Sequence, residues 1–331
     1  VEISKHEGSL ESLNKNSVFF DNTMLSSYKD CPRKYFIRHV LGWRGEGTAM
    51  PLIFGLSWHA GMDVVWQFAN KLDHRTLADS AQAKFLETWE EQGLPSELDV
   101  QQLDNWSPRV PPTAHEMYHN YIEARWPVLR EAELIACEQP FAVPLPRTTD
   151  VWYVGRLDKV VNYGSQKLVI EHKTTTEYKK DGGFKGDYIE GWYSDSQVKG
   201  YQFGGSLFFA GLDGVWVDSA LVHKTVHNAF RFVPVAHKHD MLEEWLADTL
   251  EWVSRVERDN ATYNLTGALP QGTFPKNEGS CYGKFGRCPY LDICRTVSDP
   301  SKLGGPPPGY IEEFWQPFDV LGLDKLIKDP V

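Results

Sequence analysis

Long apolar runs are missing from this chain of 331 residues: no stretch of eighteen or more apolar residues occurs, so no membrane-spanning helix is expected. The opening VEISKHEGSLESLNKNS has neither a basic start nor an apolar stretch, so no secretory leader is expected either. Cysteine is scarce, at five, too few for a disulfide scaffold, and its clustering favours thiolate ligation in a reducing compartment. These absences point to a soluble, cytoplasmic protein with no membrane partner. Basic residues are outnumbered, 34 Lys and Arg against 45 Asp and Glu, and the net charge of −11 speaks against a nonspecific nucleic-acid coat. A local basic groove inside an acidic shell is compatible with it. Internal repeats are also absent.

What is present fills a core. The chain is 41% apolar and 13% aromatic, and its length suits one large α/β domain or two smaller ones. Residues 23–43 carry apolar and aromatic residues at helical spacing, with Cys31 on or at a bend because Pro32 follows it. Residues 54–72, 75–93 and 113–134 read as further helices, with a Pro-rich connector at 104–113. The texture then changes: 136–145, 151–163 and 167–174 are rich in β-branched and aromatic residues and read as a three-strand meander. A Gly- and Lys-containing loop at 177–191, a helix at 194–211, a hairpin at 217–225 and 228–235, and a long amphipathic helix at 238–258 complete the pattern.

The chemistry sits on two of those strands. GRLDKVV places Asp158, and VIEHKT places Glu171 and Lys173, at the ends of neighbouring strands, with Glu171 and Lys173 two apart and so on one face. A charged pattern this short also fits a solvated strand. Here, however, Leu168, Val169 and Ile170 run straight into Glu171, as in a buried strand ending in a site. Two carboxylates suit a hard cation such as Mg²⁺ or Mn²⁺, with the backbone carbonyl of His172 as a further oxygen, and Lys173 to orient water or stabilise a phosphorane. Glu138, on the preceding strand, is an auxiliary acid or a salt-bridge partner. Arg156, beside Asp158, is read as a DNA contact or the partner of a neighbouring acid.

Cys281, Cys288 and Cys294, separated by six and five residues, can converge with Cys31 from the other end of the chain. Soft thiolates of this number suit a 4Fe-4S cluster, with structural zinc as the alternative. Cys137, among apolar residues, reads as a buried spectator. The loop YKKDGGFKGDY offers Lys179, Lys180 and Lys185 to phosphates and Phe184 to a base, which suits single-stranded DNA. His115-Glu116-Met117-Tyr118-His119 matches H-E-x-x-H, a zinc-peptidase pattern, but no third ligand follows at a usable spacing, so a zinc metalloprotease is a remote alternative.

An ordered series of elements resembles the RecB-like branch of the PD-(D/E)XK nuclease superfamily, which includes CRISPR-adaptation and helicase-associated exonucleases. Ser27, Cys31, Pro32 and Tyr35 match its opening motif, with Ser27 one position closer than usual. Gly55 and His59 match G-x-x-x-H; Gly155, Arg156 and Asp158 match G-R-x-D; Glu171 and Lys173 match E-x-K; Gln197 and Tyr201 match Q-x-x-x-Y. Six residues rather than the family's two separate Cys281 and Cys288. The resemblance implies an α/β, restriction-endonuclease-like core with a mixed central sheet flanked by helices. It implies His59 as a metal ligand beside Asp158 and Glu171, Gln197 and Tyr201 positioning the lysine and the DNA strand, and a cluster stapling the terminal segments. The expected layout is a single nuclease domain over 1–331: a helical part at 23–134, the core at 135–260, and an iron-sulfur segment at 261–331 closing on Cys31. The expected activity is metal-dependent exonucleolytic hydrolysis of DNA with single-stranded or free ends, with a helicase or recombination protein as the expected kind of partner. An adaptor subunit of a repair or recombination assembly is the second reading.

Overall fold

In the computed structural model, which describes residues 10–146, 148–179, 183–283 and 286–328, the helix expected over 23–43 is broken at Cys31. Asp21 caps α1 (Asn22–Asp30) by accepting the Met24 N–H at 2.7 Å. Pro32 disfavours helical backbone at the residue before it, and Cys31 is extended (φ −159°, ψ 111°). The chain restarts as α2 (Pro32–Tyr35), with proline at its first position, and ends in a π-turn at Phe36–Val40. Two short strands flank this region, β1 (Val18–Phe20) and β2 (Trp43–Gly45).

The helices α3 (Met50–Phe68), α4 (His74–Glu91) and α6 (Pro111–Glu131) stand where the periodicity places them. Between them the expected connector is partly helical. Asp99 and Gln102 form a capping box that starts α5 (Val100–Trp106), which outweighs the prolines that follow. Strands β3 (Glu133–Pro144), β4 (Val151–Tyr163) and β5 (Gln166–Thr175) come next. They are followed by α7 (Gly186–Gly191) and α8 (Ser196–Phe208), the latter capped by Asp195. Strands β6 (Leu212–Leu221) and β7 (Phe230–Val235) form the expected hairpin, and α9 (His239–Thr266) stops at Gly267, which takes a left-handed conformation. Further on lie β8 (Tyr282–Gly283), β9 (Gly286–Arg287), α10 (Leu291–Thr296) and β10 (Tyr310–Glu312).

The main sheet is mixed, with strand order β1-β4-β5-β6-β7 and β3 paired to β4. β4 and β5 are antiparallel, whereas β5 and β6 are parallel with Glu171 opposite Val217 and Lys173 opposite Ser219. The β6–β7 hairpin therefore extends the sheet of the expected meander, with α8 in the connection from β5 to β6. This α/β architecture is the restriction-endonuclease-like one expected.

Two compact units share the chain: Val1–Gly47, Pro140–Gly155 and Lys238–Val331 in one, Thr48–Gln139 and Arg156–His237 in the other. In the second unit, Phe54, Trp58 and Met62 of α3, Ala78, Ala81 and Phe85 of α4, and Met117, Tyr118 and Tyr121 of α6 form one buried core with Val161, Leu168 and Ile170 of the sheet. Gly61 makes the helix contact possible, because a Cβ there would land on the Tyr118 hydroxyl and 2.8 Å from the Ala81 carbonyl oxygen. In the first unit, the Tyr28 hydroxyl donates to Asp259 at 2.7 Å, and Arg33 donates to the Phe274 and Ser298 carbonyls at 3.1 and 2.7 Å. Those bonds fasten α1 to α9 and residues near 274 and 298 to α2. Antiparallel pairing of β10 with β2 adds a second fastening. Among the described residues no helix is long and apolar enough to cross a membrane.

Candidate functional site

Regular pairing of β4 with β5 runs from Tyr163↔Gln166 to Lys159↔Ile170. One residue further, Asp158 and Glu171 point carboxylates into the second unit. The His172 N–H donates to Asp158 Oδ2 at 2.8 Å, so a side chain takes over where the strand ladder stops. His59, on the face of α3 one turn from Asp63, brings Nδ1 to 3.2 Å from Asp158 Oδ2. Glu171 Oε1 is 2.6 Å from the Lys173 ammonium, which also donates to Gln197 Oε1 at 3.1 Å. Gln197 Nε2 in turn donates to the Tyr201 hydroxyl at 2.8 Å and reaches Glu171 Oε1 at 3.4 Å. Asp195 holds Gln197 in place by capping α8 on the Gln197 and Val198 N–H groups.

Electrostatics divide the two carboxylates. Burial works against charge on Asp158, but His59 beside it, with Lys159 and His172, holds its carboxyl far below the usual carboxylate range. Burial, and then the charge of Asp158, push Glu171 up to about 7 against the pull of Lys173 and His59. Lys173 resists its own burial because Glu171 and Asp158 draw it above the ordinary lysine range, so it is protonated at neutral pH. The Glu171 Oε2 atom is buried and has no hydrogen-bond partner among the described residues.

Around Asp158, metal-ligating atoms of His59, Asp158 and Glu138 all lie within 4.8 Å of one another. Glu171 stands outside that set, because Lys173 and Gln197 hold its Oε1. Of the two roles open to Glu138 in the sequence, the salt bridge is present: its Oε2 pairs with Arg156 Nε at 2.6 Å. It does so from a left-handed backbone (φ 51°), unusual for a residue with a Cβ and invisible in a sequence. Arg156 is therefore paired with an acid, the second of the two readings its sequence position allows. His172 points its ring to the opposite side of β5, near Asp218, and burial holds it below the ordinary imidazole range. Two buried charge pairs were not anticipated. Lys159, fully buried, donates to Asp63 at 2.5 Å; Asp218 accepts from Tyr121 at 2.5 Å and from Arg125 at 3.2 Å. The signal for both is a charged residue inside an apolar strand, LDKVV and VDSAL, which demands a partner when buried.

Of the loop residues, Lys179 and Lys185 are exposed, and Phe184 stacks on Tyr188 with centroids 6.0 Å apart while bridging to Tyr178. Lys180 lies outside the described residues. Cys137 is half-buried on β3 and accepts from Gln67 at 3.3 Å.

The remaining cysteines all belong to the first unit. The six-residue spacing between Cys281 and Cys288 is closed by the β8–β9 pairing, which lets the Cys288 N–H donate to the Cys281 carbonyl at 2.9 Å. Cys294 follows on α10, and Cys31 accepts the Asn277 N–H at 3.4 Å. Burial pushes the Cys288 and Cys294 thiols up, and the charge of Cys31 acts on both. No three cysteine sulfurs among the described residues lie within 4.8 Å of one another.

Residues 22–295 match the family described as the PD-(D/E)XK nuclease superfamily. No curated protein matches the chain.

Proposed function

This chain belongs to the PD-(D/E)XK nuclease superfamily, and on that premise we propose that it is a Mg²⁺- or Mn²⁺-dependent exonuclease acting on DNA with single-stranded or frayed ends. Membership implies phosphodiester hydrolysis of nucleic acid. The observation that carries the finer reading is the hydrogen-bonded run from Glu171 through Lys173 and Gln197 to Tyr201, set beside the His59–Asp158 pair.

The residues fit a divalent cation. His59, Asp158 and Glu138 offer neighbouring nitrogen and oxygen donors, the buried Glu171 Oε2 has no hydrogen-bond partner among the described residues, and the His172 carbonyl is a further oxygen. When bound, such a cation acidifies water and offsets charge on the phosphate. The protein's own contribution centres on Lys173. Protonated at neutral pH, it donates rather than accepts, orienting the attacking water and stabilising charge that builds on the phosphorus oxygens. Gln197 fixes the lysine by accepting from it and giving its amide hydrogens to Glu171 and Tyr201. Lys179, Lys185 and Phe184 receive phosphates and a base of the incoming strand, and Lys180 is assigned the same task.

The same proposal includes a 4Fe-4S cluster on Cys31, Cys281, Cys288 and Cys294. The donor set is four thiols, and a tetrahedral zinc ion would draw its sulfurs to within about 3.8 Å, closer than any three of these stand. Its role is structural, tying residues near 31 to the segment around 281–294, in a reducing intracellular setting. Iron and sulfide analysis of anaerobically purified protein checks it. A helicase or recombination partner would supply the free ends.

Comparing linear with circular single-stranded DNA tests the activity. Degradation of the linear form alone, with Mg²⁺ or Mn²⁺, supports an exonuclease. Equal degradation of circles makes it an endonuclease, and binding without cleavage favours the adaptor reading.

A further inference from the structure

Small residues let α4 and α6 approach closely: Ala78 and Ala81 on α4 and Ala114 on α6 are fully buried along their seam. On the flank of that seam stand Asp79 of α4 and, one turn apart on α6, His115 and His119. His115 Nε2 lies 3.1 Å from Asp79 Oδ1; His119 Nε2 lies 3.3 Å from His115 Nε2 and 4.0 Å from the same Asp79 oxygen. All three side chains are partly open to solvent. Their ligand atoms therefore gather at one accessible place, all within 4.8 Å of one another.

Two of the three separations are those of a coordination sphere, and the third, at 4.0 Å, needs only a small closing movement of exposed side chains. An ion bound tetrahedrally at about 2.0–2.1 Å by imidazole nitrogen and carboxylate oxygen holds those atoms about 3.3 Å apart. We propose that Asp79, His115 and His119 form a second metal site, taking Zn²⁺ or a similar borderline divalent cation and leaving a fourth position open to solvent. It shares no residue with the His59–Glu138–Asp158 set. The third ligand that the H-E-x-x-H pattern lacks in sequence comes from a different helix, 36 residues upstream of His115. Two imidazoles select the later first-row metals over Mg²⁺, which keeps oxygen ligands and water, so the two sites do not compete for one cation. The bound ion staples α4 to α6.

Zinc binding by chelator-stripped protein tests this, with wild type compared against His119→Ala and Asp79→Asn. The cysteines and the Asp158 site are the same in all three proteins. Wild type is expected to bind one more Zn²⁺ per chain than either variant, and its thermal midpoint to rise on adding Zn²⁺ by an increment the variants lack. Removing one of the three ligands should weaken this site by about ten-fold or more. In chelator, His119→Ala should melt at or slightly above the wild-type temperature, since alanine favours an exposed helix position, which shows that the variant folds. Asp158→Ala should retain the extra zinc. Equal zinc stoichiometry and equal zinc-induced shifts in the three proteins would overturn the proposal.

Discussion

Lys173 sits between an acid and an amide, 2.6 Å from Glu171 Oε1 and 3.1 Å from Gln197 Oε1, so its position is set from two sides. Lys173→Met keeps the length of the side chain and removes the charge; cleavage should fall about 10²–10³-fold, the usual cost of one charge-stabilising donor, with the melting temperature little changed. Gln197→Leu leaves the ammonium but frees it, and a loss of about ten-fold is expected, measured as turnover at saturating DNA. Asp158→Ala should abolish cleavage while leaving the iron content unchanged. The positions of this run were legible in the sequence because the resemblance to the family's E-x-K and Q-x-x-x-Y motifs singled them out; spacing added only that each pair shares one face of its strand or helix. Glu138 was only half legible. Its place beside His59 and Asp158 depends on a left-handed backbone angle, and nothing in IACEQP announces one.

At the scale of elements, boundaries set by local chemistry could be read and those set by distant pairing could not. Pro32 marks the break in the first helix, and Asp99 with Gln102 marks α5, though the nearby prolines masked that capping box. β1 has three residues and pairs with β4 more than 130 positions away, so no local pattern reveals it. The hairpin between Cys281 and Cys288 is equally short, yet it closes the spacing that departs from the family's motif. Asp21 offers a test of an element end. Burial pushes its carboxyl up to about 6 from an ordinary 3.8, so the folded state disfavours its charge. That cost is absent below pH 3.8, grows as pH rises, and is complete above pH 6. Asp21→Asn keeps an acceptor for the Met24 N–H and should stabilise the protein at pH 8, on the order of 1 kcal/mol, but not at pH 3.5, by thermal melting at both values. Gly61→Ala tests the α3 contact with α4 and α6. The added methyl meets the Tyr118 hydroxyl and the Ala81 carbonyl, and a loss of about 1–3 kcal/mol is expected in spite of alanine's helix preference.

Taken whole, the molecule keeps the carboxylates with Lys173 in one unit and Cys31, Cys281, Cys288 and Cys294 in the other. Substitutions should separate accordingly. Cys281→Ala should lose iron and solubility, while Lys173→Ala should keep both and lose only cleavage. The net charge of −11 adds a constraint, since nucleic acid must be held by a few local cations rather than a basic surface, and the fall of binding with salt should be shallow, in proportion to those few contacts. Composition announced that balance, whereas the interleaving of the units along the chain was beyond it, because each unit is assembled from segments that do not adjoin in sequence. The most direct test of the central claim is digestion of end-labelled single-stranded DNA by anaerobically purified protein with Mg²⁺ or Mn²⁺, run beside Lys173→Ala. Cleavage by the wild type, absent from a folded and iron-replete Lys173→Ala protein, is the predicted result. Cleavage at the same rate by both would contradict the site, and cleavage by neither would contradict the nuclease.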